Sequence, residues 1–90
     1  MKTRMQYIFT GCVQGVGFRY RAYHAAHLLG ITGWVRNEFD GSVTMQAQGE
    51  ARNLDAMIQM IEKGSYVAVD RVDSKKMPLY ADENSFKICG

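Results

Sequence analysis

Gly11, Gly15 and Gly17 crowd into one short run, Gly11-Cys12-Val13-Gln14-Gly15-Val16-Gly17-Phe18-Arg19, with Arg19 two positions after the last glycine. Glycines let successive backbone amides point at one centre and let the backbone approach an oxyanion closely. Where such a loop opens onto a helix, unpaired N–H groups and the positive end of the helix dipole add to the pull on an anion. A guanidinium in the first helical turn grips two phosphate oxygens at once, so amides plus one arginine complete a phosphate site. The same residues also describe an ordinary glycine turn beside a solvated arginine, and physics alone does not separate the two. No Lys-Ser/Thr follows in P-loop register, and no further glycine completes a dinucleotide fingerprint.

The remaining chemical inventory is thin. His24 and His27 are spaced to share one helix face, but the next residue on that face is Tyr20, which completes no metal set. They read as a solvated face, and Arg21, Arg36 and Lys75-Lys76 read as surface charge. Cys12 reads as a small filler in the loop, and whether it meets Cys89 depends on where the last strand lies. Trp34, Met57 and Ile61 read as core.

These residues need a frame, and the chain offers 90 residues for it, enough for a single domain over 1–90. A chain this size buries about 60–65% of its unfolded surface, so most apolar residues must enter one core. Hydrophobic residues at 47% and charged residues at 22% exclude a disordered chain. A net charge of +2 is too mild for a nucleic-acid binder running on charge, but it suits a small anion. Two cysteines exclude a disulfide scaffold and match no zinc spacing. No apolar run approaches the roughly 20 residues of a membrane span. The apolar stretch near the start is too short for a secretion signal, so the expected location is cytoplasmic, with both thiols reduced.

Met5, Tyr7 and Phe9 alternate with Arg4, Gln6 and Thr10, which predicts a strand over about residues 3–12. Phe18, Ala22, Ala25, Ala26 and Leu29 mark the inner stripe of a helix stopped by Gly30. A second strand spans Ile31 to Asn37, Asp40-Gly41 signals a hairpin, and Ser42 to Gln48 alternates strictly, ended by Gly49. Leu54, Met57, Ile58 and Ile61 mark a second helix from near Ala51 or Arg52 to Gly64. Tyr66 to Met77 reads as a fourth strand, residues 78–84 as a loop, and Phe86 and Ile88 as a short last strand. The order is β-α-β-β-α-β plus that strand: an α+β, ferredoxin-like sandwich with two helices on one face of an antiparallel sheet.

The run Gly11 to Arg19 resembles the first signature of the acylphosphatase family. Gly33-Trp34-Val35-Arg36-Asn37, with Gly41, Val43 and Gly49, resembles the second. Together they span about residues 9–49. One departure is Phe9, where the family usually has an aliphatic residue; by alternation it faces the core. The resemblance implies hydrolysis of the carboxyl–phosphate bond of acyl phosphates, with no metal, cofactor or covalent intermediate. It assigns phosphate binding to the amides of Gly11, Cys12, Val13, Gln14, Gly15, Val16 and Gly17 and to the Arg19 guanidinium. It assigns water positioning to Asn37. It implies an acyl phosphate as substrate, with inorganic phosphate as product and competitive inhibitor; a monomer is expected, with neither nucleic acid nor membrane as partner.

Two other readings share the fold. RNA-recognition modules use the same βαββαβ plan but stack bases on exposed aromatics, whereas Ser42, Thr44, Gln46 and Gln48 offer none. A partner-binding or carbamoyl-phosphate role resembles the acylphosphatase-like domains of larger maturation enzymes.

Overall fold

The computed structural model describes residues 1–89. Its elements follow the expected order: β1 (Lys2–Cys12), α1 (Phe18–Leu29), β2 (Thr32–Asn37), β3 (Val43–Glu50), α2 (Ala51–Glu62), β4 (Ala68–Met77) and β5 (Phe86–Cys89). The strands form one sheet in the order β4-β1-β3-β2-β5. β3 lies antiparallel to both β1 and β2, and β4 lies antiparallel to β1. The terminal strand pairs parallel with β2, so the expected antiparallel sheet is mixed at this edge.

Alternation sets the two faces. Tyr7 and Phe9 of β1, Val35 of β2 and Val43, Met45 and Ala47 of β3 are buried with the inner stripes of both helices. Phe9 is fully buried and meets the Phe18 ring edge-to-face, centroids 4.8 Å apart. That contact ties the first residue of α1 to the end of β1. Helix α1 ends at Gly30 in the left-handed conformation, whose N–H reaches the Ala26 carbonyl.

β3 does not stop at Gly49. It runs through Glu50 directly into α2, whose N-cap makes no side-chain hydrogen bond. Gly49 pairs with Thr3, and a Cβ there would lie 3.2 Å from the Ile31 Cγ1. The glycine therefore serves close packing within the strand. A hydroxyl or carboxylate cap is absent from this start, which is why only an approximate helix boundary was visible in sequence.

The polar face of the sheet is covered in part by the segment between β4 and β5. Arg4 is buried, and its guanidinium pairs with the Glu83 carboxylate at 2.7 and 3.2 Å. Its Nε also donates to Gln46 Oε1 at 2.9 Å. Gln48 accepts from the Tyr80 N–H and donates to the Tyr80 carbonyl. These bonds strap residues 80–83 across β1 and β3. Trp34, expected in the core, lies on this face instead, with the Arg36 guanidinium 4.9 Å from its ring centroid. Its position follows from the pleat, because Val35 takes the inward place. Arg21 stays exposed, as expected of surface charge, and its Nη2 donates to the Met60 carbonyl at 2.7 Å, in the last turn of α2.

Cys12 and Cys89 are both free. They sit on β1 and β5, three interstrand spacings apart in the sheet order. That is about 14 Å at the usual strand spacing, beyond the roughly 7 Å limit of a disulfide's Cα pair.

The Arg4–Glu83 pair is 5% and 11% exposed, so removing one partner strands the other in a dry site. Arg4→Ala is expected to cost about 3–5 kcal/mol, read as a lower urea midpoint. Arg4→Met combined with Glu83→Leu should recover much of that loss. A double variant no more stable than the single would show that the charge pair is not the source.

Candidate active site

Because β3 is antiparallel to both β1 and β2, the C-terminal ends of β1 and β2 point the same way. The loop after β1 and the turn after β2 therefore meet at one end of the sheet. Phe9, Val43 and Asn37 form one cross-strand row, and this row faces the helices. Asn37 thus points to the inner side of the sheet, where α1 begins.

The loop turns out of the sheet at a register shift between Thr10 and Gly11. Gly11 has φ 122°, and a Cβ there would lie 2.4 Å from the Ala68 carbonyl oxygen. No other residue type fits both the angle and the space. Val13 is buried and Val16 packs against the core, so two apolar side chains anchor the loop from beneath. Gly15 and Gly17 are exposed between and after them. Gly17 is the N-cap of α1 in the left-handed conformation, with no side-chain cap on the helix N–H groups. Helix N–H groups without a side-chain cap, at an exposed, glycine-framed loop, are the kind of donors that an anion engages. Arg19 follows as the second residue of α1, partly buried.

Gln14 does something its place in the loop did not announce. Its side-chain Nε2 donates to the Glu38 carbonyl at 2.7 Å and to the Ser42 carbonyl at 2.9 Å. The loop is thereby bolted to the turn that follows Asn37. A glutamine among glycines is the only sequence signal, and it names no partner until the turn is placed beside it.

Asn37 closes β2, and its Oδ1 is buried with no hydrogen-bond partner among the described residues. The turn beyond it is braced. Glu38 N–H bonds the Ser42 carbonyl at 2.8 Å. Asp40 Oδ1 accepts from the Ser42 hydroxyl at 2.6 Å and the Ser42 N–H at 3.0 Å. The bond from the Arg36 guanidinium holds the Glu38 carboxyl below its ordinary range, helped by Thr44. The Ser42 hydroxyl and N–H do the same for Asp40. His24 and His27 lie exposed on α1, stacked with Tyr20 and Tyr23 respectively, outside this constellation.

The Glu38 and Asp40 carboxyls bind protons less tightly in the folded chain than in the unfolded one. Their stabilisation is complete above the unfolded value of about 4 and is lost as pH falls through the lower folded values. Urea unfolding across pH should show no contribution from these groups to the slope between pH 7 and about 5, and a decline below about 4. The decline should be shallower in Asp40→Asn, and an unchanged acid slope there would contradict the assignment.

Residues 5–88 match the family model for acylphosphatase. An acylphosphatase of Oceanobacillus iheyensis is 44% identical over 80 residues, covering 87% of this chain and 88% of that protein. One from Clostridium acetobutylicum is 47% identical over 79 residues, covering 87% of each. The crystal structure of acylphosphatase from Bacillus subtilis superposes over the whole of both chains with a TM-score of 0.89 at 28% identity. Full-length HypF, crystallised in a phosphate- and nucleotide-bound form, matches all of this chain with 12% of its own, at a TM-score of 0.89 and 26% identity. With its model spanning nearly the whole sequence and its members sharing the fold, the acylphosphatase family is the family to which this chain belongs.

Proposed function

We propose that this chain hydrolyses acyl phosphates by in-line attack of a water held by Asn37 on a phosphate held by loop amides and Arg19. The observation that carries the reading is the buried, unpaired Oδ1 of Asn37 at the sheet end where the glycine loop opens. An unmatched buried acceptor costs about 1–3 kcal/mol, and a donor brought by the attacking water offsets that cost. A neutral carboxamide accepts from water without repelling a phosphate dianion, which a carboxylate would do.

The Val13 N–H donates to the Gly11 carbonyl at 3.1 Å, so of the Gly11 to Gly17 amides it is those of Gln14-Gly15-Val16-Gly17 that chiefly cradle the phosphate oxygens, and Arg19 adds a two-pronged charge. A loose phosphoryl transition state asks chiefly for positioning and charge stabilisation. The water oxygen bonds to phosphorus as the phosphorus–oxygen bond to the carboxyl group breaks. The carboxylate departs with the bonding electrons, and the water's proton passes to a phosphate oxygen. A carboxylate is a good leaving group, so the mechanism calls on no histidine, metal or other cofactor. Product phosphate occupies the same cradle and competes with substrate. Loop, arginine and asparagine all come from one copy, so a monomer suffices.

Recombinant protein should release phosphate from benzoyl or acetyl phosphate in the presence of EDTA, with competitive inhibition by inorganic phosphate. No turnover in clean protein would sink the reading. Arg19→Lys should lose most activity, because an ammonium has no planar fork. Asn37→Ala should slow turnover roughly 10²–10³-fold, as for loss of one positioned polar group. Near-wild-type rates in Asn37→Ala would mean that the water is held otherwise.

A second reading keeps the same fold and cradle and takes carbamoyl phosphate as the substrate class, with this chain resembling an acylphosphatase-like domain of a larger protein, as in its match to 12% of HypF. Comparing kcat/KM for carbamoyl and acetyl phosphate decides between them, a clear preference for the carbamoyl compound favouring the second.

A further inference from the structure

We infer that the Gln14 side chain is a positioning residue that sets the spacing between the phosphate cradle and Asn37. This rests on the proposed hydrolysis and adds a role that the loop amides do not supply. Both protons of the Gln14 carboxamide are spent on carbonyls of the β2–β3 turn, at 2.7 Å on Glu38 and 2.9 Å on Ser42. Those two residues close the turn on each other through the Glu38 N–H and the Ser42 carbonyl, 2.8 Å apart. Gln14 therefore grips both ends of the turn at once. A single bond would leave a hinge, whereas two bonds from one planar group fix distance and angle together.

The grip lies one residue from each half of the site. Glu38 follows Asn37 directly, and Gly15 follows Gln14 directly. The Asn37 Oδ1 has no partner of its own among the described residues, so no bond at that atom fixes the carboxamide. Its place is set by the backbone at the end of β2, and Gln14 is the side chain that couples that backbone to the loop. The glycines make this coupling necessary, since Gly15 and Gly17 are exposed, and a Cβ at either would meet nothing within 4 Å. Val13 and Val16 anchor the loop from beneath, and the Gln14 bonds supply a second fixed point on the side of the β2–β3 turn.

Gln14→Met keeps the length of the side chain and removes both donors; Gln14→Ala removes the chain altogether and serves if the methionine form does not fold. Either variant is expected to lower kcat for benzoyl phosphate roughly 10- to 100-fold, the scale of an ångström-sized misplacement of reacting groups. KM and the inhibition constant of inorganic phosphate should stay within about twofold, since the cradle's own amides remain. Combined with Asn37→Ala, the substitution should slow the enzyme no further, because its effect passes through Asn37. Wild-type kcat in both single variants would overturn the inference. So would multiplication of the two effects in the double variant, or a loss confined to KM and phosphate inhibition. Wild-type protein that turns over no acyl phosphate would instead overturn the hydrolysis on which the inference rests, whatever the variants do.

Discussion

The antiparallel seat of β3 between β1 and β2 is the constraint on which the rest of the site depends. It forces the two flanking strands to run parallel, so the chain must leave β1, cross through α1 and return to β2 at the far end. A helix start and two strand ends are then brought together without any long loop. Phe9 and Phe18 lock the geometry, because one ring belongs to the last inward position of β1 and the other to the first residue of α1. Both are buried, and neither can shift without opening the core beside Arg19. The ring at Phe9 is thus accommodated within the core by its edge-to-face contact with Phe18.

The opposite face of the sheet carries a different load. There the Arg4–Glu83 pair and the Gln48–Tyr80 bonds hold the connection that delivers β5 to the edge of β2. A buried ion pair adds little net stability against apolar groups of the same shape, because desolvation consumes most of its Coulombic gain. Its value here is in direction: a guanidinium with Gln46, Gln48 and Glu83 around it specifies one path for residues 80–83. This also bears on nucleic-acid binding. The strand face that an RNA platform would need presents Thr44, Gln46 and Gln48, with part of it lying under that strap.

Much of the frame was legible in residue patterns, and the reasons are local. Period-two alternation in β1 and β3, the alanine stripe of α1 and Gly30 at its end each depend on residues close in sequence. The loop was legible because glycine frequency reports backbone angles directly, as Gly11, Gly15 and Gly17 show with positive φ. What stayed hidden depends on contacts distant in sequence. Arg4 looked like any outward residue of a strand until residue 83 was laid over it. Trp34 looked like core because an indole is large and apolar, yet strand parity sends it to the other face. Gln14 carried no sign of its two carbonyl partners, which lie 24 and 28 residues away. The orphaned oxygen of Asn37 is likewise a property of its surroundings; spacing alone would equally describe a turn asparagine.

The placement of charge around Asn37 follows from the same pleat. Two carboxylates, Glu38 and Asp40, lie within three residues of it, and a phosphate dianion would be repelled by either. The alternation that turns Asn37 inward turns Glu38 outward, where Arg36 and Thr44 engage its carboxylate. Asp40 is spent on the Ser42 hydroxyl and N–H. A one-residue slip of β2 against β3 would exchange the faces and present a carboxylate where the proposed mechanism requires a neutral amide. Register is therefore an electrostatic requirement of the site as well as a packing one. The exposed Arg36–Glu38 pair, itself worth little to stability, and the part-buried Asp40–Ser42 bonds hold the turn in the register that keeps negative charge off the inner face. With that achieved locally, the proposed mechanism needs a net charge of only +2, because it selects the anion at the cradle and not in the far field of the protein.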